Sequence, residues 1–345
     1  MKMNEKIKVL IVDDSVLFRE VLSRGLSKDP QIEIVAKASD PFQARDQIIQ
    51  YNPDVMTCDV QMPRMNGIEF ITRLLPQYPL PVIVVSTVSD AIFDAMNAGA
   101  VDFVTKPDDR SPKGMDNFID ELISKIKIAV TAKVKRENNI NKVDVSESYK
   151  FDEKKIIAIG ASTGGTEAIY RVLKELPANI PGIVIVQHIP PVFSKMFAER
   201  MNTQTKLTVK EAEGNEFIET GKVYIAPGDK HLKIRKIGDR YKTDVFTGDR
   251  VNGHCPSVDV LFNSVAKECG KNAVGVILTG MGQDGAKGLY EMRRMGAITI
   301  GQDEKSSVVY GMPKVANNIG AVEKQFNLDQ ISNAIMMAVK NLSRN

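Results

Sequence analysis

Two sets of side chains in this sequence have types and spacing suited to chemistry. The first is Asp13 with Asp14, Asp59, Thr87 and Lys106. Three carboxylates gathered in one pocket repel one another unless a cation neutralises them, and an all-oxygen set of this kind suits Mg²⁺. So screened, Asp59 can attack a phosphoryl group as a nucleophile, with Lys106 balancing charge and the Thr87 hydroxyl donating to a phosphoryl oxygen. The second set is Ser162, His188 and Asp284. Ser162 has G-x-S-x-G spacing within KIIAIGASTGG, which can set a hydroxyl on a sharp strand-to-helix turn. His188 can serve that hydroxyl as general base, and Asp284, in AVGVILTGMGQDGAKG, can orient the imidazole. The backbone N–H groups of Met281 and Gly282 in the same turn can line an oxyanion hole.

Each residue taken singly also has a plainer reading. Acidic residues after strands form turns and cap helices, and Asp284 can cap a helix over Ala286–Met295. The glycine-rich GASTGG turn also describes a dinucleotide-binding loop. That rival asks for an Asp or Glu about 20 residues on, at the end of the next strand, to hold a ribose. Here the next strand runs into Gln187 and His188. The order Ser, His, Asp differs from the Ser, Asp, His order of α/β-hydrolases, so their fold is not expected; triads are recognised by geometry and role.

The elements that must position these groups show as two βαβ series. Short β-branched runs at Lys8–Val12, Ile32–Ala38, Asp54–Cys58, Pro81–Ser86 and Val101–Val104 alternate with amphipathic stretches and predict a parallel five-stranded sheet. The acids, Thr87 and Lys106 then all fall at strand carboxyl ends, where open parallel sheets bind ligands. A polar, charged stretch from about Lys133 to Lys155 reads as a linker. A second series follows at Ile156–Gly160, Gly182–Val186, Val223–Ala226, Ala273–Thr279 and Ala297–Ile300, with a closing helix over Leu328–Leu342.

Composition narrows the function classes. With 345 residues the chain is long for one domain and short for three. A net charge of +3, with acidic and basic residues interspersed, offers no concentrated basic element for nucleic acid. A helix-turn-helix output module is absent from the second half, which carries a βαβ pattern instead. Cys58, Cys255 and Cys269 lack C-x-x-C spacing, which argues against zinc and a disulfide framework and fits a reducing compartment. No segment reaches the length of a membrane span or a signal-peptide core, so a cytoplasmic location without membrane insertion is expected.

The segments VDDS, CDVQMPRMNG, ST and TKP, in that order, resemble the response-regulator receiver family over about Met1–Lys127. The resemblance implies that Asp59 is the phosphoacceptor, that Asp13, Asp14 and Asp59 hold Mg²⁺, and that Phe103 occupies an aromatic switch position; a core role for Phe103 is the alternative. Asn66 stands where many receivers have Asp. Further on, IGASTGGTEAI, QHIPPVFS, YIAPGDKH, PSVDVLFNSVA and AVGVILTGMGQDGA resemble the chemotaxis protein-glutamate methylesterase (CheB) family. The fold class expected is α/β, with two doubly wound parallel-sheet domains: a flavodoxin-like receiver over 1–127, a linker over 128–152 and a larger Rossmann-like catalytic domain over 153–345. The resemblance implies Ser162 as nucleophile, His188 as base and Asp284 as its orienting partner, with no cofactor for the ester step. Its substrates would be glutamate γ-methyl esters on the cytoplasmic helices of chemoreceptors, and some members deamidate receptor glutamines. A chemotaxis sensor histidine kinase would be the phosphodonor, and the unphosphorylated receiver would cover the active site. Gly253 and Cys255, in VNGHCPSVD, stand where the family has basic residues. His231, His254 and Cys255 are conceivable site residues, but the plainer roles of loop polar groups and a small buried apolar side chain are preferred.

Overall fold

A computed structural model describes residues 6–87, 89–107, 112–132, 151–152 and 154–342. The chain divides into two compact units, Met1–Asn138 and Asn139–Asn345.

The first unit runs β1 (Ile7–Val12), α1 (Val16–Leu26), β2 (Ile32–Ala38), α2 (Pro41–Tyr51), β3 (Val55–Asp59), α3 (Gly67–Leu74), β4 (Val82–Ser86), α4 (Ser89–Asn97), β5 (Asp102–Thr105) and α5 (Pro112–Ala129). Its strands form one parallel sheet in the order β2-β1-β3-β4-β5. Every residue of β3 and β4 is buried, as expected of parallel strands with both faces covered. Short polar side chains start the helices: Ser15 accepts from the Phe18 N–H, Asp40 from Phe42 and Gln43, and Asn66 from Glu69. Asn66 is therefore a helix cap. Helix α5 continues two residues past the expected domain edge at 127. Of the expected linker over 128–152, residues 133–150 lie outside the described residues.

The second unit runs β6 (Ile156–Ala161), α6 (Gly165–Lys174), β7 (Ile183–Gln187), α7 (Pro191–Gln204), β8 (Thr208–Glu211), β9 (Lys222–Ile225), β10 (His231–Ile237), β11 (Arg240–Phe246), α8 (Val258–Cys269), β12 (Ala273–Ile277), α9 (Ala286–Arg294), β13 (Ile298–Gln302), α10 (Met312–Asn318), β14 (Lys324–Phe326) and α11 (Leu328–Leu342). Seven strands make a parallel sheet in the order β14-β13-β12-β6-β7-β9-β8. The α/β class and both parallel sheets are as the sequence predicts, with strand limits moved by one or two residues. Three features go beyond it: the edge strands β8 and β14, and an antiparallel ribbon of β10 with β11. The ribbon packs Leu232, Ile234 and Tyr241 into the core with α8.

Both sheets have a strand at which successive connections leave in opposite directions. In the first it is β1, flanked by β2 and β3; in the second it is β6, flanked by β7 and β12. The carboxyl ends around such a reversal open into a crevice not bridged by a crossover.

Candidate functional site

In the first unit, Asp13, Asp14 and Asp59 each offer a carboxylate oxygen, and these atoms lie within 4.8 Å of one another. Asp13 and Asp59 are buried and Asp14 is exposed. Lys106, just beyond β5, donates to Asp13 at 2.7 Å and to Asp59 at 2.6 Å. Burial pushes the Asp59 carboxyl up, and the opposing pull of Lys106 leaves it above its ordinary value. For Lys106 the balance is reversed: burial draws its pKa down, but the two carboxylates outweigh burial and keep it charged. Three carboxylates therefore face one ammonium, and the surplus negative charge on hard oxygen donors fits a divalent cation. A cavity of about 520 Å³ opens beside them, lined by Asp14, Gln61, Met62 and Asn66. Thr87 is exposed at the end of β4. Phe103 is buried within β5, and the Lys125 ammonium lies 4.9 Å from its ring centroid.

In the second unit the expected residues follow three adjacent strands. Ser162 follows β6, His188 follows β7, and Asp284 lies in the turn after β12. Gly164, at φ +73°, ends the serine turn and caps α6. Gly280 lets the β12 turn come close: a Cβ there would stand 2.7 Å from the Ser162 Cβ and 2.4 Å from the Met312 sulfur. The buried Gln187 side chain donates to the carbonyls of Ser162 at 2.9 Å and His188 at 3.1 Å. Its amide is thus occupied in holding two backbone turns, and no carboxylate stands at this strand end for a ribose.

The His188 Nε2 lies 2.8 Å from Asp284 Oδ2, with both side chains almost fully buried. The other ring nitrogen, Nδ1, is buried with no hydrogen-bond partner among the described residues. A carboxylate against Nε2 fixes the proton there and leaves Nδ1 as the basic nitrogen. Asp284 also accepts from Asn252 Nδ2 at 2.8 Å, Ser257 Oγ at 2.7 Å, and the backbone N–H groups of Val258 at 2.6 Å and Asp259 at 3.2 Å. Burial pushes this carboxyl up, but hydrogen bonds from His188, Asn252 and Ser257 overcome it and hold the carboxyl well below the usual range. Asp284 was expected as a possible cap for α9; that helix begins on Gly285 without a side-chain cap, and Asp284 instead binds the N-terminus of α8. The Met281 and Gly282 N–H groups donate to no other described residue.

Three residues outside the expected triad prove close to it. Asn252 joins Asp284 to Asp259, donating to both at 2.8 Å. His254, read from sequence as a loop polar group, lies flat on His188, with ring centroids 3.7 Å apart and planes at 11°. His231 is buried, accepting from the Ser257 N–H at Nδ1 and meeting the Asp249 carbonyl through Nε2. The usable signal was the Asn252-Gly253 dipeptide, which marks a tight two-residue turn. Cys255 is half-buried.

The family model for CheB methylesterase matches residues 157–335, and that for the response regulator receiver domain matches residues 9–112. A protein-glutamate methylesterase/protein-glutamine glutaminase 2 of Syntrophomonas wolfei is 55% identical over 98% of this chain and 99% of its own length. A protein-glutamate methylesterase/protein-glutamine glutaminase of Syntrophotalea carbinolica is 47% identical, over 97% and 98% respectively. Among solved structures, the Thermotoga maritima CheB methylesterase catalytic domain matches with TM-score 0.52 and 37% identity, covering 53% of this chain and 97% of that one.

Proposed function

The chain belongs to the CheB methylesterase family and carries a response regulator receiver domain, and we propose that it hydrolyses glutamate γ-methyl esters on the cytoplasmic helices of chemoreceptors, faster when Asp59 is phosphorylated. The observation that carries the hydrolytic part is the His188 ring: Nε2 is held by Asp284 and Nδ1 is left open. Ser162 Oγ gives its proton to Nδ1 and attacks the ester carbonyl. The carbonyl oxygen takes negative charge, and the Met281 and Gly282 N–H groups donate to it. The imidazolium then protonates the leaving methoxide, which departs as methanol. Water, deprotonated by His188, attacks the acyl-serine; the carboxylate is released and Ser162 regains its proton. A receptor glutamine follows the same route with ammonia as the leaving group.

In the receiver, Asp59 takes a phosphoryl group from a chemotaxis sensor histidine kinase. Asp13, Asp14 and Asp59 would hold Mg²⁺, which would supply charge neutralisation at a phosphoryl group in transfer. Lys106 and Thr87 contact the phosphoryl oxygens, and Phe103 responds as the switch. The domain limits proposed are 1–127 and 153–345 with a linker between. Among the described residues no helix is long and apolar enough to cross a membrane, and the protein acts in the cytoplasm.

The test is methanol release from methylated chemoreceptor by wild type and Ser162→Ala, with and without Mg²⁺ and acetyl phosphate. Expected is release that rises with phosphodonor and falls by about 10⁴-fold or more in the variant. Equal release by the two proteins would overturn the assignment of Ser162; release indifferent to phosphodonor would overturn the regulation.

A further inference from the structure

The general base of this site is held at one edge by Asp284, and a single hydrogen bond of that kind acts as a hinge. An imidazole bonded through Nε2 can still rock about that bond, which swings the opposite nitrogen across a wide arc. Nδ1, the nitrogen that must take the serine proton, is the atom so displaced. It has no partner of its own among the described residues to steady it.

The missing restraint comes from the loop between β11 and α8. Val251-Asn252-Gly253-His254 is a two-residue turn with φ +54° at Asn252 and +85° at Gly253. Two backbone bonds close it, Val251 N–H to His254 O at 2.9 Å and His254 N–H to Val251 O at 3.0 Å. Left-handed conformations at both central positions give the tight turn that Asn-Gly favours. The turn is anchored at several points. Asn252 donates to Asp259 and Asp284. The Ser257 N–H donates to His231 Nδ1 at 3.2 Å, and His231 Nε2 lies 2.8 Å from the Asp249 carbonyl. His231 therefore holds both flanks of the loop, and Asn252 fixes its tip. What the loop presents to the site is the face of His254, parallel to His188 at van der Waals separation.

We propose that His254 is a positioning residue for His188: its ring, carried by the anchored Asn252-Gly253 turn, lies against one face of the imidazole and stops it rocking about its bond to Asp284. The inference rests on the reading of His188 as general base. A stacked neighbour serves only while uncharged, because a second cation would oppose protonation of His188 in every turnover. The surroundings provide this. Burial, and then the nearby charge of His188, lower the His254 pKa to about 4, with Arg250 acting in the same sense and Asp284 against them. At neutral pH His254 is a flat, neutral surface.

The test uses the full chain with His254→Phe, His254→Leu, His254→Ala and Ser162→Ala, each assayed for kcat and KM on methylated receptor. Phe keeps a flat ring; Leu fills similar space without one. Expected is a kcat about 10- to 100-fold lower in the Ala and Leu variants, KM within about twofold, and Phe within a few-fold of wild type. Should the Ala variant fail to fold, the Phe and Leu pair decides. Equal kcat in those two, or a loss confined to KM, would overturn the proposal, because ring shape would then be irrelevant to the step. Nitrogen-15 relaxation dispersion of the His188 ring gives a readout that needs no substrate: no exchange at Nδ1 in wild type and His254→Phe, and exchange broadening at Nδ1 in His254→Leu, with the proton on Nε2 in all three. An equally quiet Nδ1 signal in all three also overturns it. If wild type and Ser162→Ala release methanol equally, the hydrolase reading has failed, and the spectra still report on the stack.

Discussion

Asp59 and Asp284 are the same residue near the carboxyl ends of central strands in two parallel sheets, and their surroundings push their acidities in opposite directions. Around Asp59 burial dominates, other carboxylates crowd in, and Lys106 is the one side chain among the described residues that donates to it. Around Asp284 burial is as strong, but five hydrogen bonds arrive, two of them from the start of α8. The first carboxylate is left under-satisfied and needs an added partner, which suits a group that must react. The second is saturated, which suits a group that must hold others still. Direction of pKa shift thus distinguishes the two aspartates where residue type and strand position do not.

The largest effect expected from breaking this contrast is at the saturated site. Asp284→Asn keeps the size but loses the charge and one acceptor, so its amide competes with His188 for the proton position. Methanol release should fall by about 10³- to 10⁴-fold, while Mg²⁺-dependent phosphorylation of Asp59, followed by acyl-phosphate labelling, stays at the wild-type level. A parallel loss of labelling would show that the two pockets are not independent. Next, Asp13→Asn should weaken Mg²⁺ binding to the receiver by about 100-fold, read by titration against a fluorescence or calorimetric signal; unchanged affinity would remove Asp13 from the ligand set.

Smaller effects probe what saturation contributes to stability. Asn252→Leu withdraws donors from Asp259 and Asp284 and forces a branched side chain to adopt φ +54°, with a loss of about 2 kcal/mol in urea unfolding. Asn252→Gly keeps the turn and isolates the donors, so a stability equal to Leu would mean the backbone is unimportant.

The smallest effect is in pH. His254 has a folded pKa of about 4, below the unfolded value of about 6.5. Its contribution is therefore present above pH about 6.5 and lost as pH falls through about 4, and for a half-buried ring amounts to about 1–2 kcal/mol. Asp59 has the opposite sign. Its raised folded pKa means stability that is present below the unfolded value of about 3.9 and lost as pH rises through the folded one. Hydrogen exchange between pH 7 and 4, read separately over each unit, should show the second unit weakening with acidification, and His254→Phe should flatten that slope. An unchanged slope would show that His254 does not titrate as its burial implies.

The sheets were legible because buried parallel strands need near-continuous β-branched runs, as in VIVVS and IIAIGA, and few other structures tolerate them. The acids, Lys106, Ser162 and His188 were legible because they directly follow such runs. Asp284 lies further into its turn, and its partners on α8 come from 25 and 26 residues earlier in the chain, a pairing no local pattern encodes. The β10–β11 ribbon carried a signal, alternating Leu232 and Ile234 with polar neighbours before Gly238, but a period of two over so few residues is easily lost among loops. His254 carried none, since stacking depends on where a loop lands. The Asn-Gly turn foretold only the bend.

Gln187 sets one further property of the catalytic unit. One amide, reaching from the last residue of β7, grips the carbonyls of both Ser162 and His188. The separation of Ser162 and His188 therefore derives from the spacing of two paired strands, about 4.8 Å in any sheet, and not from the surrounding loops. Whatever motion admits or releases a substrate, Ser162 and His188 travel as one piece.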